Sequence, residues 1–234
     1  MKLSLSRRVT AEFIGTGLLV AAVVGSGIMG ERLANGSVGL ALLANTVATG
    51  AALVCLIIAF GPISGAHFNP VVTIMDALER GIRWGDVPYY LAGQTAGGFA
   101  GAVVANVMFS LPAVSLSAKT RNGSGQLLSE FIATFGLVCV IWGASRLRPN
   151  AAPFAVGAYI TSAYWFTAST SFANPAVTLA RCFSDTFAGI RLRDAPGFIA
   201  AQFVGGFAAT ILFRWLVPQL QETAGKVLVP QDSE

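Results

Sequence analysis

Uncharged, largely apolar stretches dominate the chain, at residues 13–30, 33–75, 87–118, 131–145, 149–180 and 195–213. A helix needs about 20 such residues to cross a bilayer. Five stretches reach or approach that length, and the sixth does so once Glu130 is counted inside it. Two are too long for one helix, 33–75 and 149–180, and each holds an Asn-Pro pair near its far end, Asn69-Pro70 and Asn174-Pro175. The pattern predicts six membrane spans, near 9–30, 38–60, 87–109, 126–145, 150–167 and 196–216, with a shorter apolar piece after each Asn-Pro. Lys2, Arg7 and Arg8 before an apolar run imitate a secretory leader, but Glu12 interrupts the run and no small-residue cleavage site follows it. That segment is expected to be the first span.

Composition agrees. Only 11% of the 234 residues are charged, while 54% are hydrophobic; a soluble domain is about a quarter charged. A chain this short cannot bury so much apolar surface within itself, which argues against a soluble enzyme. The net charge is only +4 and no basic cluster supports it, so nucleic acid is not an expected partner. Cys55, Cys139 and Cys182 fall in predicted helices without disulfide or metal-ligand spacing and are expected to be buried free thiols. No nucleophile–base pair or metal cluster stands out, so neither an enzyme nor a cofactor is expected. With the N-terminus inside, nine basic residues fall on the cytoplasmic side and six outside, which puts both termini in the cytoplasm. Residues 1–217 then form one membrane domain and 218–234 a flexible cytoplasmic tail.

The chain repeats itself. AEFIGTGLLVAAVVGSG at 11–27 matches SEFIATFGLVCVIWGAS at 129–145, aligning Glu12 with Glu130. FNPVVT at 68–73 matches ANPAVT at 173–178, and LAGQTAGGFAGAV at 91–103 matches IAAQFVGGFAATI at 199–211, aligning Gln94 with Gln202. The first repeat covers about 8–109 and the second about 126–216. Each holds three spans and one short piece. Three is odd, so the second repeat enters from the opposite face, and an inverted repeat of this kind places its site near the bilayer midplane.

Asn before Pro starts a helix: the Asn side chain caps, and Pro at the first helical position loses only an N–H that had no partner. The pieces from Asn69 to about Glu79 and from Asn174 to about Phe183 are long enough for half the hydrocarbon thickness. Two such half-helices would meet N-terminus to N-terminus at the centre. Each asparagine whose oxygen caps its helix holds its NH₂ outward as a donor. Water bound to two fixed donors cannot relay protons in a continuous chain, and a cation would meet two positive helix ends.

The paired loops SGAHFNPVVT and FANPAVT, the two glutamates and the inverted repeat closely resemble the aquaporin (major intrinsic protein) family, over about residues 8–216. The resemblance implies an all-α membrane fold of six tilted spans and two re-entrant half-helices, a homotetramer in the lipid bilayer, and one pore per subunit. It implies that Asn69 and Asn174 form the central constriction. Transferred by spacing, a second constriction nearer the outside falls on Thr49, Ser162, Ser171 and Val177. Most members carry arginine where Val177 stands, and the first loop reads Asn-Pro-Val in place of the usual Asn-Pro-Ala. Three small hydroxyls and a valine predict a wide ring without a fixed positive charge, similar to the aquaporin S group of bacteria associated with arsenic resistance. The expected activity is passive conduction of uncharged solutes such as arsenous acid, methylated arsenicals, glycerol or urea, together with water, across a bacterial-type inner membrane. The alternatives are a strict water channel and a proton-coupled transporter using Glu12 or Glu130.

Other candidates fall around this axis. Glu12 and Glu130 are expected to brace the re-entrant loops, as the resemblance implies. His67 either lines the inner pore or is structural. Asp76 is expected to pair with Arg80 at i+4 rather than to line the inner mouth. Arg181, one turn beyond Val177, either guards the outer vestibule or pairs with Asp185.

Overall fold

Each long apolar stretch closes its backbone hydrogen bonds within itself as a helix, as hydrocarbon surroundings demand of an open segment. The computed structural model describes residues 3–217 and contains helices and no strand among them. In chain order they are α1 (Leu5–Leu33), α2 (Val38–Ser64), α3 (Pro70–Leu78), α4 (Val87–Met108), α5 (Ser124–Leu147), α6 (Ala152–Phe166), α7 (Pro175–Arg181) and α8 (Ala195–Leu216). The anticipated tail, 218–234, lies outside the described residues.

All six expected spans are present, with altered ends. α1 begins earlier and α2 runs on to Ser64, carrying Pro62 in its last turn and stopping at Gly65, whose φ of 89° is a left-handed cap. α6 is only 15 residues because Pro149–Ala151 form a 3-10 turn before it. Four helices, α1, α2, α5 and α8, are by themselves long and apolar enough to cross a membrane. α4 is diluted by glycines, tyrosines and Gln94, and α6 is short, so these two depend on their neighbours.

The repeat governs the packing. α1 packs on α4 and α2, and α5 packs correspondingly on α8 and α6; α2 against α6 joins the halves. Matching glycines permit matching contacts. A Cβ on Gly97 of α4 would lie 2.1 Å from the Phe13 carbonyl oxygen of α1, and one on Gly205 of α8 would lie 2.5 Å from that of Phe131 of α5. Backbone-to-backbone approach of this kind replaces the hydrophobic drive that lipid cannot supply.

Large apolar side chains such as Leu18, Leu43, Ile58, Val104 and Ile211 are exposed on the outer faces of the bundle. Exposed Trp84, Trp165 and Trp215 sit between α3 and α4 and in the last turns of α6 and α8, where an aromatic belt would meet the headgroups. The thiols are free, but only Cys182 is buried; Cys55 faces outward from α2 and Cys139 is half-buried, so the expectation of three buried thiols fails for two. An apolar thiol on a lipid-compatible face needs no burial.

Candidate functional site

Two short loops dip into the centre of the bundle, and each is forced into an unfavourable backbone. Ala66 and Phe68 in the first, and Ser171 and Ala173 at the equivalent places in the second, have φ between 48° and 50°. Left-handed conformations at non-glycine residues cost on the order of 1–3 kcal/mol each and need fixed surroundings. Two buried carboxylates provide them. Glu12 of α1 accepts from the Ser64 hydroxyl (2.6 Å), the His67 and Phe68 amides (3.0 and 2.7 Å) and Gln94 Nε2 (2.8 Å). Glu130 of α5 accepts from the Phe172 and Ala173 amides (2.9 Å each) and Gln202 Nε2 (2.6 Å). The glutamines also reach the half-helices: Gln94 donates to Thr73 Oγ1 and Gln202 to Thr178 Oγ1, both at 2.9 Å. The threonine hydroxyls in turn donate to the Asn69 and Asn174 carbonyls.

α3 and α7 start directly after these loops. Asn69 Oδ1 accepts from the Val71 amide at 2.9 Å, and Asn174 Oδ1 from the Ala176 and Val177 amides at 3.0 and 3.3 Å. The amide nitrogens cross between the repeats: Asn69 Nδ2 donates to the Ala173 carbonyl and Asn174 Nδ2 to the Phe68 carbonyl, each at 2.7 Å. A side-chain amide has two N–H groups, so one on each asparagine stays available beside the cavity that both residues line.

That cavity offers about 100 Å³ to water-sized molecules. It runs from Ser145 and Ala152, near the C-terminus of α5 and the N-terminus of α6, past His67 and the two asparagines, to Thr49, Ser171 and Arg181. Its walls are mainly apolar, with Leu19, Leu53, Val156 and Ile160 among them, and polar groups recur at intervals along it.

At the end carrying α3's C-terminus, Asp76 takes Arg146 Nη2 of α5 at 3.1 Å and lies 3.5 Å from His67 Nε2, while His67 Nδ1 is 3.1 Å from Thr73 Oγ1. The expected Asp76–Arg80 pair is absent. α3 stops at Leu78 and Arg80 has a φ of 63°, so the helical i+4 relation never reaches it.

At the opposite end, Arg181 is 1% exposed. Its guanidinium lies 3.3 Å from the centroid of the Phe172 ring and its Nε donates to the Ala188 carbonyl. The alternative partner Asp185 instead accepts from the Ala118 amide. Phe172 also carries Arg121, 4.9 Å from its centroid, which donates to the Gly189 and Ser169 carbonyls at 2.8 and 3.0 Å. Arg121 belongs to the loop between α4 and α5, which thereby folds over α7. Burial pushes the Arg121 guanidinium down to about 10. Burial and then the Arg121 charge lower Lys119. Burial alone would raise Asp194, but hydrogen bonds from Arg191 and the Arg121 amide outweigh it and hold the acid below the usual carboxylate range.

A model of the family described as major intrinsic protein matches residues 1–162 and 145–233. The chain belongs to the major intrinsic protein family. It is 54% identical over 213 residues to the aquaglyceroporin AqpS of Rhizobium meliloti (strain 1021), covering 91% of each chain. It is 31% identical to the probable aquaporin AqpM of Archaeoglobus fulgidus, covering 94% of this chain and all of the other. The solved aquaglyceroporin of Plasmodium falciparum shares the fold, with a TM-score of 0.74 at 21% identity, over 94% of this chain and 100% of that one.

Of the four positions transferred from the family's outer constriction, Thr49, Ser171 and Val177 line the cavity and Ser162 does not. Ser162 is exposed, with its hydroxyl turned back to the Tyr159 carbonyl at 2.7 Å. At about 3.6 residues per turn, the inward face of α6 is Val156, Ile160 and Tyr164, and Ser162 lies opposite. Tyr164 stands beside Thr49, its hydroxyl 3.3 Å from Thr49 Oγ1. The four-residue spacing of that face was visible in the sequence; spacing counted from a distant asparagine was the wrong guide. Arg181, one turn beyond Val177, lines the same cavity.

Proposed function

We propose that the chain is a passive channel for small uncharged hydroxylated solutes and water, with arsenous acid, glycerol and urea as the class. The reading rests on one observation above others: a cavity threads between two capped asparagines, each holding a spare amide N–H beside it. Asn69 and Asn174 form its central constriction, and Thr49, Ser171 and Val177 its outer one. Glu12 and Glu130 brace the loops, and His67 and Asp76 set the inner mouth. The likeness to an aquaglyceroporin of a bacterium supports polyol-sized solutes; the nine-to-six distribution of basic residues supports cytoplasmic termini in an inner membrane. The exposed apolar faces suit lipid and the sister subunits of a homotetramer.

Arsenous acid is a neutral trihydroxy molecule at neutral pH and shares glycerol's hydrogen-bonding outline. Methylated arsenicals, partly apolar, suit the Val177 side of the neck. The bulky Tyr164 beside Thr49 in the cavity wall, where Ser162 was expected, favours a second reading, a water-selective channel.

Proteoliposome swelling separates the readings. Glycerol and arsenous acid enter down their gradients, and Val177→Arg slows glycerol several-fold more than water. Near-complete reflection of glycerol by the parent protein establishes the water-selective reading. Accumulation against a gradient on imposing a pH difference establishes a transporter.

A further inference from the structure

The inverted repeat places opposite charges at equivalent points, Asp76 on α3 and Arg181 on α7, each in the last turns of its half-helix. Asp76 is compensated by Arg146 at 3.1 Å. Arg181 is not: among the described residues no carboxylate lies within ion-pair distance of it. Its contacts are a carbonyl and the face of Phe172, and its Nη1 is buried without a partner. A second donor in the same cavity is also unsatisfied, the hydroxyl of Ser171, a residue 3% exposed. Buried donors without acceptors are rare and expensive, and an uncompensated buried cation more so. Arg121, the neighbouring guanidinium on Phe172, is engaged with two carbonyls and lies outside the lining.

We propose that Arg181, with Ser171, is the charge-discriminating and solute-docking site of the outer neck, in place of the arginine that Val177 displaces. The guanidinium repels small cations. Nη1 and the Ser171 hydroxyl donate to an oxygen of a neutral, oxygen-rich solute as it enters, satisfying the two groups that the protein's own acceptors leave unpaired. Phe172 holds the guanidinium planar against the wall, so the charge stays at the neck. This assignment rests on the channel reading and deepens it.

Urea and the guanidinium ion test it, being nearly equal in shape and different in charge. Tracer influx of both is measured in proteoliposomes of the full chain, and the ratio of the two fluxes is independent of how much protein is folded. The parent passes urea and excludes guanidinium. Arg181→Gln raises the guanidinium-to-urea ratio at least about tenfold, as removing one unit charge at the neck requires, and Arg181→Lys keeps it low. An unaltered ratio in Arg181→Gln overturns the assignment. Should that variant carry neither solute, Ser171→Ala decides: a urea-to-water ratio that falls supports the two-donor site, and an unaltered one overturns it. A parent that passes no urea, glycerol or arsenous acid sinks the channel reading itself, a result distinct from an unaltered ratio in a conducting protein.

Discussion

A carboxylate at the centre of a membrane bundle loses several kcal/mol of hydration, and Glu12 recovers it through four contacts that are all donors. Such a set suits an acceptor with four lone-pair directions, and a proton relay there would have to break the loop it holds. Glu12→Gln turns one acceptor oxygen into a donor facing other donors. It is expected to destabilise the protein by about 2–4 kcal/mol, read as a lower midpoint of thermal unfolding in detergent. A variant as stable as the parent contradicts bracing. The glutamate itself was legible in the repeated AEF and SEF segments. Its partners Ser64 and Gln94 were not, because they lie 52 and 82 residues away and only the fold brings them together. Two other residue-level expectations failed for one reason. Ser162 and the Asp76–Arg80 pair were both placed by counting, and counting works only along an unbroken helix of known phase.

Helices were easier to read than the residues on them. Charge-free runs and the two Asn-Pro signals carry the spans and both half-helices, since the membrane penalises anything else so heavily. The early stop of α7 at Arg181 was not legible, because the α4–α5 loop packs on that end, the Ser117 amide donating to the Cys182 carbonyl. Glycines were legible as packing residues in general, and the structure shows which are indispensable. At Gly97 an added Cβ would meet the Phe13 carbonyl oxygen at 2.1 Å, and backbone on both helices must move to relieve it. Gly97→Ala is expected to separate α1 from α4 and cost more than about 3 kcal/mol, the upper range for overpacking, read as lost monodisperse protein on size exclusion. Gly39→Ala, where nothing lies within 4 Å, is the control. It gains up to about 1 kcal/mol from the stiffer unfolded chain. Equal behaviour of the two variants would falsify the close-contact account of the α1–α4 seam.

At the scale of the whole molecule, the two repeats are coupled by each asparagine donating to the opposite loop, Asn69 to Ala173 and Asn174 to Phe68. The same two residues line the cavity, so in the proposed channel structure and selectivity share one pair of groups. Asn174→Asp removes both at once while leaving the helix cap in place. The new carboxylate can still cap α7 through the Ala176 and Val177 amides, but it cannot donate to Phe68, and its second oxygen meets that carbonyl oxygen as acceptor against acceptor. It also replaces a donor by an acceptor on one side of the constriction. In the proposed channel, water between Asn69 and Asn174 would meet two donors and be held with both hydrogens pointing away from the centre. In the variant it meets one donor and one acceptor, an arrangement that lets it hand a proton across. In vesicles with an imposed pH difference, the parent protein should conduct water while the gradient persists. Asn174→Asp should dissipate that gradient at least about tenfold faster per unit of water flux, equivalent to about 1.4 kcal/mol off the proton barrier. The ratio of proton to water flux is the measurement, and a value equal to that of the parent protein shows that the paired amides do not set the barrier.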